Sequence, residues 1–176
     1  MPRKKVLLIR FSSIGDVTQC LSVPTRLKDL RKELETTGES DVEIHWVTRH
    51  DLSGLLAGHS NINRVWTLDR SEGFPGLFRL ISNLRREKFT QIYDAHNNLR
   101  SHLICWGLFP IPALRRPIYR WKRFLLFKFR RNTFRMPFSG QRDLLEPLKA
   151  WGLSEKLPPA PQIFCGEKSA TAEALL

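Results

Sequence analysis

The segment Arg10-Phe11-Ser12-Ser13-Ile14-Gly15-Asp16 places one carboxylate and one glycine directly behind a short apolar run, Val6-Leu7-Leu8-Ile9. Such a run reads as a buried parallel strand. The spacing of Val17, Leu21, Val23, Leu27 and Leu30 reads as a helix after the turn, so Asp16 falls at a helix N-terminus, where the dipole favours an ionised carboxylate. A carboxylate held this way can serve as general base on a hydroxyl. It can also serve only as a helix cap, and spacing alone leaves both readings open. With Gly15 as its only glycine the segment is not a G-x-G-x-x-G dinucleotide fingerprint, and without a following Gly-Lys-Ser/Thr it is not a P-loop. A second polar segment, Asp94-Ala95-His96-Asn97-Asn98-Leu99-Arg100-Ser101, follows Gln91-Ile92-Tyr93. His45 reads as a packed strand residue, and His50, His59, His96 and His102 share no metal-ligand spacing. Cys20, Cys105 and Cys165 form no C-x-x-C pair, so neither a zinc site nor a disulfide framework is predicted. Ser13 lacks a nucleophile elbow.

The two polar segments need a frame. Beyond the first strand and helix, Glu43 to Thr48, Arg64 to Leu68, Gln91 to Asp94 and, as a possible fifth, Pro117 to Tyr119 read as strands. Asp51 is placed to cap a short helix carrying Leu52, Leu55 and Leu56. Further helices are predicted through Phe78, Leu80, Ile81 and Leu84, over 99–108, over 121–131 and over 143–151, with Gly152 as C-cap. Pro24 is expected to kink or restart the first helix. The alternation predicts an α/β fold, a Rossmann-like open and mostly parallel sheet with helices on both faces. Ligands then bind beyond the C-terminal strand ends, where both polar segments lie.

The 176 residues suit one domain, and the 11 Phe and 5 Trp are expected to add bulk to its core. No apolar run approaches the ~18 residues of a spanning helix. The basic start, Met1-Pro2-Arg3-Lys4-Lys5, resembles a signal n-region, but the apolar run behind it ends at Arg10, short of the roughly 7–15 residues of an h-region. A cytoplasmic protein is therefore expected. The net charge of +12 is concentrated: residues 95–142 hold 11 Lys or Arg and no Asp or Glu, whereas the other positions hold 18 basic against 17 acidic residues. A focused field of that kind points to one anionic surface or ligand. Residues 157–161, Leu-Pro-Pro-Ala-Pro, read as a stiff linker, and 169–176 as the opening of a helix. The expected division is a domain over 1–156, then a linker and the start of a missing second domain over 157–176.

The opening Val6-Leu7-Leu8-Ile9-Arg10-Phe11-Ser12-Ser13-Ile14-Gly15-Asp16-Val17, with Leu21, Pro24 and Leu27, resembles the start of glycosyltransferase family 9, the ADP-heptose:lipopolysaccharide heptosyltransferases. Ile92 to Ser101 resembles that family's Asp-containing strand end and following helix start, although Asn97-Asn98 stands where a Gly-containing turn is more usual. Ile44-His45-Trp46-Val47, Ile62-Asn63-Arg64-Val65 and the stretch from Leu144-Leu145 to Trp151-Gly152-Leu153 fit the same frame. The resemblance implies the N-terminal, acceptor-binding domain of a two-domain GT-B-type, inverting, metal-independent transferase. Asp16 would be the general base. Ser12, Ser13 and Gly15 would shape its loop, with Asn97, Asn98 and Arg100 on the opposite wall. No cofactor is implied, and the nucleotide-sugar donor, ADP-heptose, would bind mainly the missing domain. The acceptor would be an anionic glycolipid, the lipopolysaccharide inner core.

Residues 115–138 interleave Arg115, Arg116, Arg120, Lys122, Arg123, Lys128, Arg130, Arg131 and Arg135 with Tyr119, Trp121, Phe124, Phe127, Phe129, Phe134 and Phe138. One reading has these cations, Arg120 and Arg123 among them, meet the acceptor and the cytoplasmic face of the inner membrane. A second has them meet nucleic acid, with rings stacking on bases; no specific nucleic acid is expected. The third is a plain helix with rings in the core and cations in water. A non-catalytic basic binding module for anionic membrane or nucleic acid is the alternative to the transferase.

Overall fold

The structure, a computed structural model, describes residues 4–34, 42–133 and 139–153, with the side chains of 30–34, 120 and 123 outside that description. Strands Lys5–Ile9 (β1), Glu43–Arg49 (β2), Arg64–Leu68 (β3), Gln91–Asp94 (β4) and Ala113–Arg115 (β5) form one sheet in the order β3-β2-β1-β4-β5. All its pairings are parallel. β1 is central, and Val6 to Ile9 are buried on both faces, as a continuous apolar run requires.

Side chains alternate between two cores. Val6 and Leu8 of β1, with Ile44, Trp46 and Tyr93, meet helices Ile14–Cys20 (α1), Ser22–Leu34 (α2) and Gly140–Leu145 (α6) through Val17, Leu21, Val23, Leu27, Leu144 and Leu145. Leu7 and Ile9, with Val47 and Ile92, meet helices Gly73–Arg85 (α3) and Leu99–Gly107 (α4) through Leu77, Leu80, Leu84 and Ile104. The helix Arg120–Phe129 (α5) follows β5. Pro24 restarts the first helix, as predicted: α1 ends at Cys20 with Leu21 as its C-cap, and Pro24 is the third residue of α2, where a missing N–H leaves no helical bond unmade.

Several expectations are corrected. The fifth strand is Ala113–Arg115, not 117–119, which runs as coil into α5. Asp51 is not a cap; Arg49 holds the N-cap position of the 3-10 helix His50–Leu56, and Asp51 pairs with Arg49 from its first turn. The last helix is α6 followed by a 3-10 helix, Glu146–Trp151, with Pro147 at its start. Gly152 does cap it, in the left-handed conformation with φ 90°. The expected aromatic core is only partly realised: Trp46, Phe11 and Phe89 are buried, but Phe74, Phe78, Trp106, Phe109 and the rings of α5 are exposed. His45 is packed as predicted, with ring centroids 5.2 Å from Phe89 and 6.1 Å from Trp66. Cys20 and Cys105 are free and buried, and burial pushes their thiols up to about 12 and about 11. Cys165, Arg135, Phe134, Phe138 and the expected linker lie outside the described residues.

Candidate functional site

The chain passes from β1 outward to β2 and β3, then returns to β4 and β5 on the other side. The loops after β1 and β4 therefore diverge from adjacent strands and leave a crevice at their C-terminal ends, the switch point at which such sheets take ligands. Both polar segments singled out in the sequence border it.

Asp16 is the third residue of α1, behind Ser13 at the N-cap. Its Oδ2 accepts from the Ser13 backbone N–H at 3.3 Å and the Ser13 hydroxyl at 3.1 Å. Arg10 Nη2 pairs with the same oxygen at 2.5 Å, while Arg10 Nη1 donates to the Ala95 carbonyl at 2.5 Å. The buried guanidinium thus ties the β1 loop to the β4 loop. Partial burial by itself would raise the Asp16 carboxyl, but the Arg10 charge and the two Ser13 bonds outweigh it and hold the group below its ordinary value. The side chain keeps 40% exposure, so this fixed, ionised carboxylate is within reach of a ligand. Gly15 beside it has nothing within 4 Å of where a Cβ would stand, leaving the mouth of the crevice open.

Asp94 organises the opposite loop. It is buried; its Oδ1 accepts from the N–H groups of His96 (3.1 Å) and Asn97 (2.7 Å), and its Oδ2 from the Ser101 hydroxyl (2.8 Å). Asn97 takes the left-handed conformation, φ 53°, which asparagine tolerates better than most residues and which a glycine would otherwise supply. Its side chain donates to the Arg116 carbonyl at 2.6 Å and meets His102 Nε2 at 2.7 Å. Asn98 caps α4 by accepting from the Ser101 N–H at 2.9 Å. His96 packs edge-on against Phe11, with centroids 5.4 Å apart. Burial, reinforced by the Arg10 charge, holds its imidazole below 6.5, so it is neutral at neutral pH.

Ser12, Ser13, Gly15 and Asp16 therefore stand together at the mouth, facing the Asn97-Asn98 turn, whose side chains are engaged in holding that turn. Arg100 is exposed on the first turn of α4, and no hydrogen bond or ion pair among the described residues joins it to Asp16. Arg120 and Arg123 stand on α5. Two cations were not singled out for the site. Arg10 was readable only as a strand-end residue; its pairing spans a turn and a second loop. Arg116 follows β5, donates its N–H to the Asp94 carbonyl at 2.9 Å, and has a buried Nε without a partner. Its charge, like those of Arg10 and Asp16, is felt at buried Cys20 under the crevice. A groove of about 400 Å³ between α3 and α4, lined by Phe78, Ile81, Leu103 and Trp106, lies toward the C-termini of those helices, at the other end of the sheet.

No protein-family model matches the chain. In sequence it is similar to lipopolysaccharide heptosyltransferase 1 of Campylobacter coli, 24% identical over 101 residues, which are 57% of this chain and 27% of that protein. It is also similar to the lipopolysaccharide core heptosyltransferase OpsX of Haemophilus influenzae, 23% identical over 105 residues, 60% of this chain and 28% of that protein. In fold it is similar to a family 9 glycosyltransferase from Veillonella parvula, with TM-score 0.73 and 17% identity, covering 99% of this chain and 49% of that one. The E. coli heptosyltransferase WaaC, solved with ADP-2-deoxy-2-fluoro heptose, gives TM-score 0.61 at 15% identity over 89% of this chain and 51% of that one. The chain spans about half the length of these solved relatives. The resemblance read from the two polar segments is thus met twice: the chain is similar in sequence to lipopolysaccharide heptosyltransferases and has the fold of half of a family 9 glycosyltransferase.

Proposed function

We propose that this chain is the acceptor-binding half of an inverting transferase that moves a heptose from an ADP-sugar to the lipopolysaccharide inner core at the cytoplasmic face of the inner membrane. The observation that carries the reading is Asp16: an ionised, partly exposed carboxylate, held by Arg10 and Ser13 at the switch-point crevice. The bonds from those residues fall on Oδ2, so the carboxylate keeps a fixed aim while Oδ1 faces the acceptor. Asp16 takes the proton of an acceptor hydroxyl as that oxygen attacks the anomeric carbon from the face opposite the nucleotide. The bond from the anomeric carbon to the ADP phosphate oxygen breaks, and ADP departs with the electron pair. Arg10 makes Asp16 a weaker base, but a hydroxyl already bonding to an anomeric carbon is far more acidic than a free one, so a weak carboxylate serves. Arg116 beside the crevice, and Arg100 at the start of α4, meet the acceptor's anionic groups. The donor is held mainly by a second domain.

The reaction class is tested by following ADP release from ADP-heptose in a form of the protein extended through a second α/β domain, with and without an inner-core acceptor. Acceptor-dependent release is expected. Release absent with every acceptor tried would reduce the relationship to shared fold and favour the non-catalytic binding module.

A further inference from the structure

Helix α5 runs Arg120–Phe129, so at ~1.5 Å per residue it is too short to cross a bilayer. Trp121, Phe124 and Phe127 recur every third residue and share one face. All three are exposed, Trp121 at 69% and Phe127 at 80%, as is Phe129 beyond them. Among the described side chains of α5, Lys122, Leu125 and Leu126, on the other face, are half-buried. The third reading of this stretch, rings in the core, therefore fails for the four rings of α5, while Tyr119 just before it is half-buried. Trp121 and Phe124 stack on each other, with centroids 5.3 Å apart at 23°, and Phe124 meets Phe129 edge-on at 6.0 Å. Trp121, Phe124 and Phe129 thus touch in one series rather than standing as separate platforms between which bases could be sandwiched, and Phe127 is exposed on the same helix. Lys128, Arg130 and Arg131 are exposed at its end, within a stretch of 48 residues that contains no acidic side chain.

Among the described residues, acidic side chains stand only near the start of the helix, where the Tyr119 hydroxyl donates to Glu146 and Asp143 feels the Lys122 charge. Exposed rings followed by exposed cations have the complement of a lipid surface, apolar below the headgroups and anionic at them. We infer that α5 lies flat on an anionic phospholipid bilayer, with the rings of Trp121, Phe124 and Phe127 seated among the headgroups and Lys128, Arg130 and Arg131 on their phosphates. The inference deepens the inner-membrane placement in the proposed function by naming the element that makes the contact, and lipid binding tests it separately from transfer.

Co-sedimentation of the 176-residue chain with vesicles of phosphatidylcholine, alone or with about a quarter phosphatidylglycerol, tests it. Binding is expected only to the anionic vesicles. Replacing Trp121, Phe124 and Phe127 together by Ala should weaken that binding by at least about tenfold without changing the unfolding midpoint, because the rings are exposed. Reversing charge through Lys128→Glu, Arg130→Glu and Arg131→Glu, with the rings kept, should weaken it too. Asp16→Asn should bind as the parent does, which separates a failure here from a failure of the transferase reading. Anionic binding that survives ring removal would overturn the inference in favour of diffuse charge. Absent binding would overturn it outright. Tighter, ring-dependent binding of a single-stranded oligonucleotide would replace the lipid with nucleic acid, and ring-dependent self-association in sedimentation velocity would replace it with a second copy of the chain.

Discussion

Replacing Arg10 by methionine keeps the length of the side chain but removes the charge that fixes Asp16 and the donor that satisfies the Ala95 carbonyl. Loss of that buried bond is expected to cost about 1–3 kcal/mol in urea unfolding. The Asp16 carboxyl should move up toward its ordinary 3.8, read by carboxyl-carbon NMR titration. An unmoved Asp16 titration would mean that the guanidinium does not control the group. Asp16 itself was legible in the sequence, because a carboxylate just after a strand and a glycine has few places to go. What it does was not, because a cap and a base need the same residue at the same spacing. The structure gives Asp16 both a place at the helix start and an exposed edge. The role of Arg10 was hidden for a different reason: its partners, Asp16 and Ala95, are joined only once β1 and β4 lie side by side.

Asn98→Ala is the corresponding test of an element. The carboxamide oxygen caps α4 by accepting from the Ser101 N–H, so its loss should cost about 1 kcal/mol of stability. The Ser101 amide should also exchange faster with deuterium; unchanged protection would show that the cap is held by something else. The longer elements were legible because their periodicities are strong: β1, β2 and the helices through Leu80 and Ile104 stand where the apolar spacing puts them. The misplacements fall where the signal is local. β5 has three residues between Pro112 and Pro117, too few for alternation to register, whereas Ile118-Tyr119 looked more strand-like. Pro147 breaks the last helix into α6 and a 3-10 turn, and periodicity alone passes over such a break. The exposed rings of α5 could not be read from composition, since a ring in the core and a ring at a surface have the same helical spacing.

At the scale of the whole molecule, proton linkage sets the stability profile. Burial holds His45, His59 and His96 below 6.5, and the tautomer of His45 is fixed as Trp66 Nε1 donates to its Nδ1 at 3.1 Å. The unfolded chain therefore takes up protons that the folded chain does not, so stability is full above about pH 6.5 and falls as pH drops below it. A bond from Lys5 holds Glu87 below 4.5; burial would push Glu43 up, but bonds from His45 and Lys5 hold it below 4.5 as well. Their contribution is present above that value and is lost as pH falls through their folded values. Urea midpoints should thus decline steadily from about pH 7 to about pH 4. His45→Gln, which can keep both hydrogen bonds without titrating, should flatten the first part of the decline; an unchanged slope would remove His45 from the account. The most direct test of the central claim is the rate of acceptor-dependent ADP release by Asp16→Asn in a form extended through a second domain. Loss of general-base catalysis predicts a fall on the order of a hundred- to ten-thousand-fold with the fold intact by circular dichroism. A folded variant that transfers at the parent rate would show that Asp16 is a helix cap and not the base.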